Sequence, residues 1–161
     1  MEETVRFEEY CRIRDFALRA CGEELEAKEP KLLHPIILAY VGDAVFSLYV
    51  RMRLVPVSTH VQVLHNMAAR MVSAVMQARA MEALEPELTE EEAAMERRGR
   101  NTKSTVPKSA SVREYRMSTA FETLMGYLYL SHQDERLEEL LRKSFEIVRK
   151  AAEAERGGRK R

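Results

Sequence analysis

Two carboxylates stand out by their surroundings. Asp43 is the single charged residue in the stretch from Ile36 to Val50. An ionised group among apolar neighbours needs a counter-charge or a metal, because an unpaired buried charge is costly. Gly42 precedes it, and a glycine inside a helix costs about 1 kcal/mol relative to alanine. A close approach to the backbone would account for that glycine. Asp43 either pairs with an arginine such as Arg51 or Arg70, or it holds a ligand. Glu122 lies in STAFETLMGYLYL, Ser118 to Leu130. Thr119 stands three residues before it, so Glu122 reads equally as the far end of a capping box. If the helices that carry Asp43 and Glu122 cross, the two acids share one ligand. Two oxygen donors favour a hard ion, Mg²⁺, with Mn²⁺ as a substitute.

A third feature is basic. Residues 97–116, RRGRNTKSTVPKSASVREYR, carry seven basic residues against one acidic residue, Glu114. Gly99, Asn101, Ser104, Pro107 and Ser109 mark this stretch as a loop. Arg97, Arg98, Arg100, Lys103 and Lys108 are candidate phosphate contacts, with Asn101 a polar contact among them. The plain alternative is a solvated charged loop. No aromatic residue lies between Arg97 and Lys108, so stacking on single strands is a poor fit. A duplex recognised by shape fits better. Carboxylates, a hard metal and a basic loop combine in metal-assisted phosphodiester hydrolysis. In that chemistry the ion activates the attacking water and neutralises charge on the phosphate. No other catalytic set competes. There is no nucleophile-elbow serine and no glycine-rich phosphate loop. His34, His60, His65 and His132 are scattered.

Composition narrows the field further. The 161 residues suit one domain. Hydrophobic residues make up 45% and charged residues 32%, as in an ordered globular protein. Lys plus Arg and Asp plus Glu both number 26, which excludes a globally basic binder while allowing a local basic patch. Cys11 and Cys21 are ten positions apart on one expected helix, about 15 Å, too far to bridge. They read as free thiols in a reducing compartment. The N-terminal residues MEETVRFEEY lack an apolar leader. The apolar run from Ile36 to Val50 is short for a bilayer. The expectation is a cytoplasmic protein without a membrane partner.

The elements needed to position these residues are helical. An acidic segment, residues 1–29 with nine acidic and five basic residues, reads as one surface helix ending before Pro30. Pro35 suits the first turn of a helix running to about Arg53, apolar nearly all round and therefore buried by its own fold or by a partner subunit. Thr59 and Gln62 form a capping-box pattern before a helix from about His60 to Leu84. Thr89 and Glu92 repeat that pattern before a short helix to about Arg98. A helix from about Ser118 to Ser131 and a last one from about Gln133 to Ala152 complete the set. No segment shows the alternation of a strand. The expected organisation is an N-terminal acidic helical extension (1–31), a catalytic domain (32–152) and a basic, frayed tail (153–161).

At these same residues the chain resembles a known family. LAYVGDAVFSLYVR, Leu38 to Arg51, resembles the signature motif of the ribonuclease III catalytic domain, and STAFETLMGYLYL resembles that family's second carboxylate motif. RRGRNTKSTVPK, Arg97 to Lys108, is similar to the loop of the Mini-ribonuclease III group, which lacks the double-stranded-RNA-binding domain. The resemblance spans roughly Leu33 to Val148. It implies an all-α, ribonuclease III-type helical endonuclease domain that forms a symmetric homodimer, with the apolar signature helix at the two-fold axis. It implies that Asp43 and Glu122 are the Mg²⁺-binding catalytic carboxylates. The implied substrate is double-stranded RNA, in the Mini group the precursor of large-subunit (23S) ribosomal RNA, cut to leave 5′-phosphate and 3′-hydroxyl ends. A ribosomal protein is a further candidate partner. Ala39 and Thr119 stand where the full-length pattern has acids, which matches the Mini group and leaves the number of ions open. The alternative from the same fold is a non-catalytic RNA-binding scaffold in a ribonucleoprotein particle.

Overall fold

The computed structural model describes residues 29–102 and 111–158, together with residues 8, 11–17 and 19. Among them there is no strand. Helix α1 spans Pro35–Leu54, α2 Val61–Met71, α3 Ala74–Leu84, α4 Glu90–Arg100, α5 Val112–Leu130 and α6 Asp134–Gly158. Short 3₁₀ turns at Pro30–Leu32, Val55–Val57 and Glu85–Glu87 connect them.

α5 is the centre of the bundle. α1, α3, α4 and α6 all pack on it, and Phe121, Leu124, Met125 and Leu128 are wholly excluded from solvent. Phe46 of α1 meets Phe121 edge to face, with ring centroids 4.9 Å apart, an arrangement that adds about 1 kcal/mol beyond area burial. Six of the nine methionines, Met71, Met76, Met81, Met95, Met117 and Met125, are buried in this core.

α1 starts where Pro35 fixes the first turn, with His34 accepting a hydrogen bond from the Ile36 N–H. Pro35–Val57 has the length and mean hydropathy, 1.3, of a membrane span. That apolarity is used in the bundle, where Leu38, Phe46 and Val50 are fully buried. α4 opens with the expected capping box, Thr89 and Glu92 bonding each other's backbone N–H. Glu92 is buried and also accepts from Arg136 Nε at 2.8 Å, which ties α4 to α6 and holds its carboxyl below the usual range.

Several boundaries differ from the expectations. The helix expected from His60 to Leu84 is two helices. Ser73 takes an extended backbone with ψ 155°, and the chain bends there. The bend lets α2 face α1 and α6 while α3 faces α5, which one straight helix would not do. Thr59 and Gln62 form no capping box; Gln62 instead donates to Asn66 within α2. α5 begins at Val112, six residues before the expected start, because Ser111 and Glu114 form the capping box there. Within the 97–116 stretch, residues 97–100 and 112–116 are therefore helical, and residues 103–110 lie outside the described residues. Residues 153–158 continue α6; residues 159–161 lie outside the described residues.

Most of the acidic segment 1–29 also lies outside the described residues. Residues 11–17 are helical and lie against the bundle. Arg14 is 2% exposed, donates to both carboxylate oxygens of Asp134, and stacks over Tyr129 with its guanidinium carbon 5.3 Å from the ring centroid. At the α5–α6 turn His132 adopts a left-handed conformation, φ 55°, and Gln133 N–H reaches back to the Leu128 carbonyl at 3.0 Å.

Candidate active site

The site is made by two glycines. A Cβ added to Gly42 would stand 1.8 Å from the Glu122 carbonyl oxygen and 2.8 Å from the Gly126 nitrogen. A Cβ added to Gly126 would stand 1.9 Å from the Leu38 carbonyl oxygen and 3.0 Å from the Gly42 nitrogen. Each glycine thus seats against the carbonyl one turn before the other. No residue with a side chain permits that approach. The crossing sets Asp43, the residue after Gly42, beside Glu122.

Electrostatics reports the same juxtaposition. Burial pushes the Glu122 carboxyl up to about 8, and the charge of Asp43 pushes it the same way. Asp43 itself is exposed, contrary to the buried setting that its apolar neighbours suggested. Helix α1 turns a third face to solvent, and Asp43 lies on it with Ile37, Tyr40 and Ala44. The structural ion pair with Arg51 or Arg70 does not form. Arg51 bonds Ser47 and Arg70 pairs with Glu155. Asp43 has no ion pair among the described residues. Glu122 is no capping residue either, since Thr119 lies inside α5 and donates to the Tyr115 carbonyl at 3.0 Å.

A third side chain enters from α3. Gln77 is 2% exposed, and its amide lies near enough to favour ionisation of the Glu122 carboxyl, against the effect of burial. Its Nε2 is buried without a regular hydrogen-bond partner among the described residues. A buried donor left unsatisfied costs about 1–3 kcal/mol. Sequence reasoning did not single out Gln77. Its signal was a polar residue in register with the buried Met81 and Leu84, four and seven positions later on the inner face of α3.

The donor set suits a hard cation. Two carboxylates from different helices are what Mg²⁺ takes from a protein, with waters and substrate phosphates completing its shell. No group of three or more His, Cys, Asp or Glu converges among the described residues, so a cage that displaces all water is not provided there.

The basic residues divide into kinds. Gly99 packs on Thr123 and Ala120, which brings the last turn of α4 against α5, on either side of Glu122 in sequence. Arg97, Arg98 and Arg100 occupy that turn, where cations also complement the helix dipole. Arg97 and Asn101 are exposed. Arg98 donates to the carbonyls of Lys31 and Leu33, the latter at 2.9 Å, and so pins the chain before α1. Arg100 lies 3.4 Å from Glu96 and 3.5 Å from Glu85. A cleft of about 610 Å³ beside it is lined by Arg100, Asn101, Arg113 and Arg116 together with Glu82 and Glu85. Lys103 and Lys108 lie outside the described residues.

The all-helical bundle and the glycine crossing of its two central helices point to the ribonuclease III domain. That domain's family model matches residues 37–133, and the chain belongs to this family of endoribonucleases. Among similar proteins, Mini-ribonuclease 3 of Enterococcus faecalis is 51% identical over 71% of this chain and 89% of its own length. Mini-ribonuclease 3 of Clostridium tetani is 39% identical over 83% of this chain and 91% of its own. A crystal structure of a protein from Fusobacterium nucleatum superposes with TM-score 0.67 and 27% identity, over 72% of this chain and 94% of that one.

Proposed function

We propose that the chain is a Mg²⁺-dependent endoribonuclease that cuts double-stranded RNA, with Mn²⁺ as a substitute ion. The observation that carries this reading is the Gly42–Gly126 crossing, which sets Asp43 beside Glu122. Asp43 and Glu122 would hold the ion. Bound there, it would activate a water and neutralise charge developing on the scissile phosphate. The protein's own part is positional. The crossing holds the two carboxyls in register, and burial keeps one side of Glu122 dry.

Of the expected phosphate contacts, Arg97 and Asn101 at the end of α4, with Lys103 and Lys108 beyond it, would contact the RNA backbone, whereas Arg98 is spent on the chain before α1 and Arg100 on Glu85 and Glu96. Such contacts bind without reading sequence and weaken with salt. Arg97 and Asn101, both exposed, are the freest of the described ones. The products would carry 5′-phosphate and 3′-hydroxyl ends. The proposed natural substrate is the precursor of 23S ribosomal RNA in the cytoplasm, with a ribosomal protein as a candidate assistant.

A duplex cut on both strands calls for two sites. α1 leaves Ile37 51% and Tyr40 79% exposed on one apolar face beside Asp43. We assign that face to a homodimer. Sedimentation should give twice the monomer mass, and Tyr40→Glu should reduce it to the monomer.

The test of activity is cleavage of end-labelled double-stranded RNA, with Mg²⁺ or with chelator, by wild type and Asp43→Asn. Discrete Mg²⁺-dependent products that vanish in the variant support the reading. A wild-type protein that binds the duplex and never cuts it, with any divalent ion, is a non-catalytic scaffold.

A further inference from the structure

Gln77 is the only polar side chain among the buried residues of α3. A leucine or methionine would fill the same place without burying an amide. Its Nε2 is buried and lacks a regular hydrogen bond among the described residues, and the side chain lies beside Glu122. The buried amide thus stands next to a carboxyl whose charged neighbour among the described residues is Asp43.

We propose that Gln77 is a positioning residue for Glu122: its Nε2–H holds one carboxyl oxygen and leaves the other to face Asp43. This rests on the endonuclease reading above and deepens it. Partners of this kind, one shell out from an ion, typically change metal affinity 10–100-fold.

The experiment compares wild type, Gln77→Leu, Glu122→Gln and the double variant in the full chain. Mn²⁺ affinity is read from water-proton relaxation without RNA, thermal unfolding is read in chelator, and kcat and KM are read on double-stranded RNA. Gln77→Leu should weaken Mn²⁺ binding about 10–100-fold. It should lower kcat with KM nearly unchanged and leave the melting temperature in chelator close to that of wild type, because leucine fills the same buried place. In the Glu122→Gln background, Gln77→Leu should cause no further loss of Mn²⁺ affinity. Unchanged Mn²⁺ affinity in the single variant, or an equal loss in both backgrounds, overturns the proposal. A lowered melting temperature with normal Mn²⁺ affinity also overturns it and makes Gln77 a packing residue. A wild type that binds Mn²⁺ and cuts no duplex defeats the endonuclease reading instead, and the Mn²⁺ comparison still decides the role of Gln77.

Discussion

Gly42→Ala separates a general rule from this particular structure. On an ordinary helix, replacing an interior glycine by alanine stabilises by about 1 kcal/mol. Here the new Cβ would stand 1.8 Å from the Glu122 carbonyl oxygen, whereas ordinary contact begins near 3.4 Å. One helix must retreat from the other by roughly 1.6 Å, and the obstacle is backbone, which cannot swing aside. Overpacking of this kind costs about 3 kcal/mol or somewhat more. After the propensity gain the net loss is about 2–3 kcal/mol. For a chain of this length that lowers Tm by roughly 4–12 °C. Retreat also parts Asp43 from Glu122, and a misplacement of ~1 Å commonly costs ~100-fold in rate. Urea unfolding followed by circular dichroism, with duplex cleavage measured at a temperature where the variant is folded, reads both effects. Gly126→Ala should behave alike. A Gly42→Ala protein at least as stable as wild type and equally active would refute the crossing as drawn.

The remaining predictions concern charge. Asp43→Asn should abolish cleavage while leaving Tm unchanged or slightly raised, since an exposed acid that repels Glu122 is removed. The folded carboxyl of Glu122 ionises near 8, above the unfolded value of 4.5. The folded state therefore holds the extra proton, so this group's stabilising effect is full below about pH 4.5 and is lost as pH rises through about 8. Glu122→Gln should flatten the pH–stability curve in that window, matching wild type near pH 5 and exceeding it near pH 8 in chelator. Arg97→Ala should weaken duplex binding across sequences and reduce the salt slope by about one. Arg98→Ala should instead cost about 1–2 kcal/mol of stability, because the Lys31 and Leu33 carbonyls lose their donor. Equal effects of the two on binding and stability would contradict that division.

The two carboxylates and the oddly placed Gly42 were readable from sequence, because a lone acid and a glycine inside an apolar helix conflict with local preference. The motif resemblance then placed Asp43 and Glu122 in one site before any geometry was known. The Thr89–Glu92 cap was readable from its spacing. The equivalent Ser111–Glu114 cap was not, because it sat in a stretch dominated by basic and loop-forming residues. The break at Ser73 carries no proline or glycine and arises from which helices α2 and α3 must face. The exposure of Asp43 was hidden for a different reason. A helix that is apolar all round does not say which of its faces the same chain covers. Gln77 escaped notice because an uncharged amide becomes informative only once its burial and its neighbour are known.

The methionine-rich interior has a consequence of its own. A thioether fills irregular gaps and adapts to its neighbours, but its sulfoxide is polar and branched and has no place in a packed core. Met52 and Met67 are partly accessible, whereas Met71, Met76, Met81, Met95, Met117 and Met125 are shielded. An oxidant should therefore mark the first two in the intact molecule and reach the other six only when the bundle opens. Oxidation during an opening would leave a mass increment that persists until the sulfoxide is reduced, and a chain less able to close again. Such damage would accumulate with the number of openings rather than with exposure time alone.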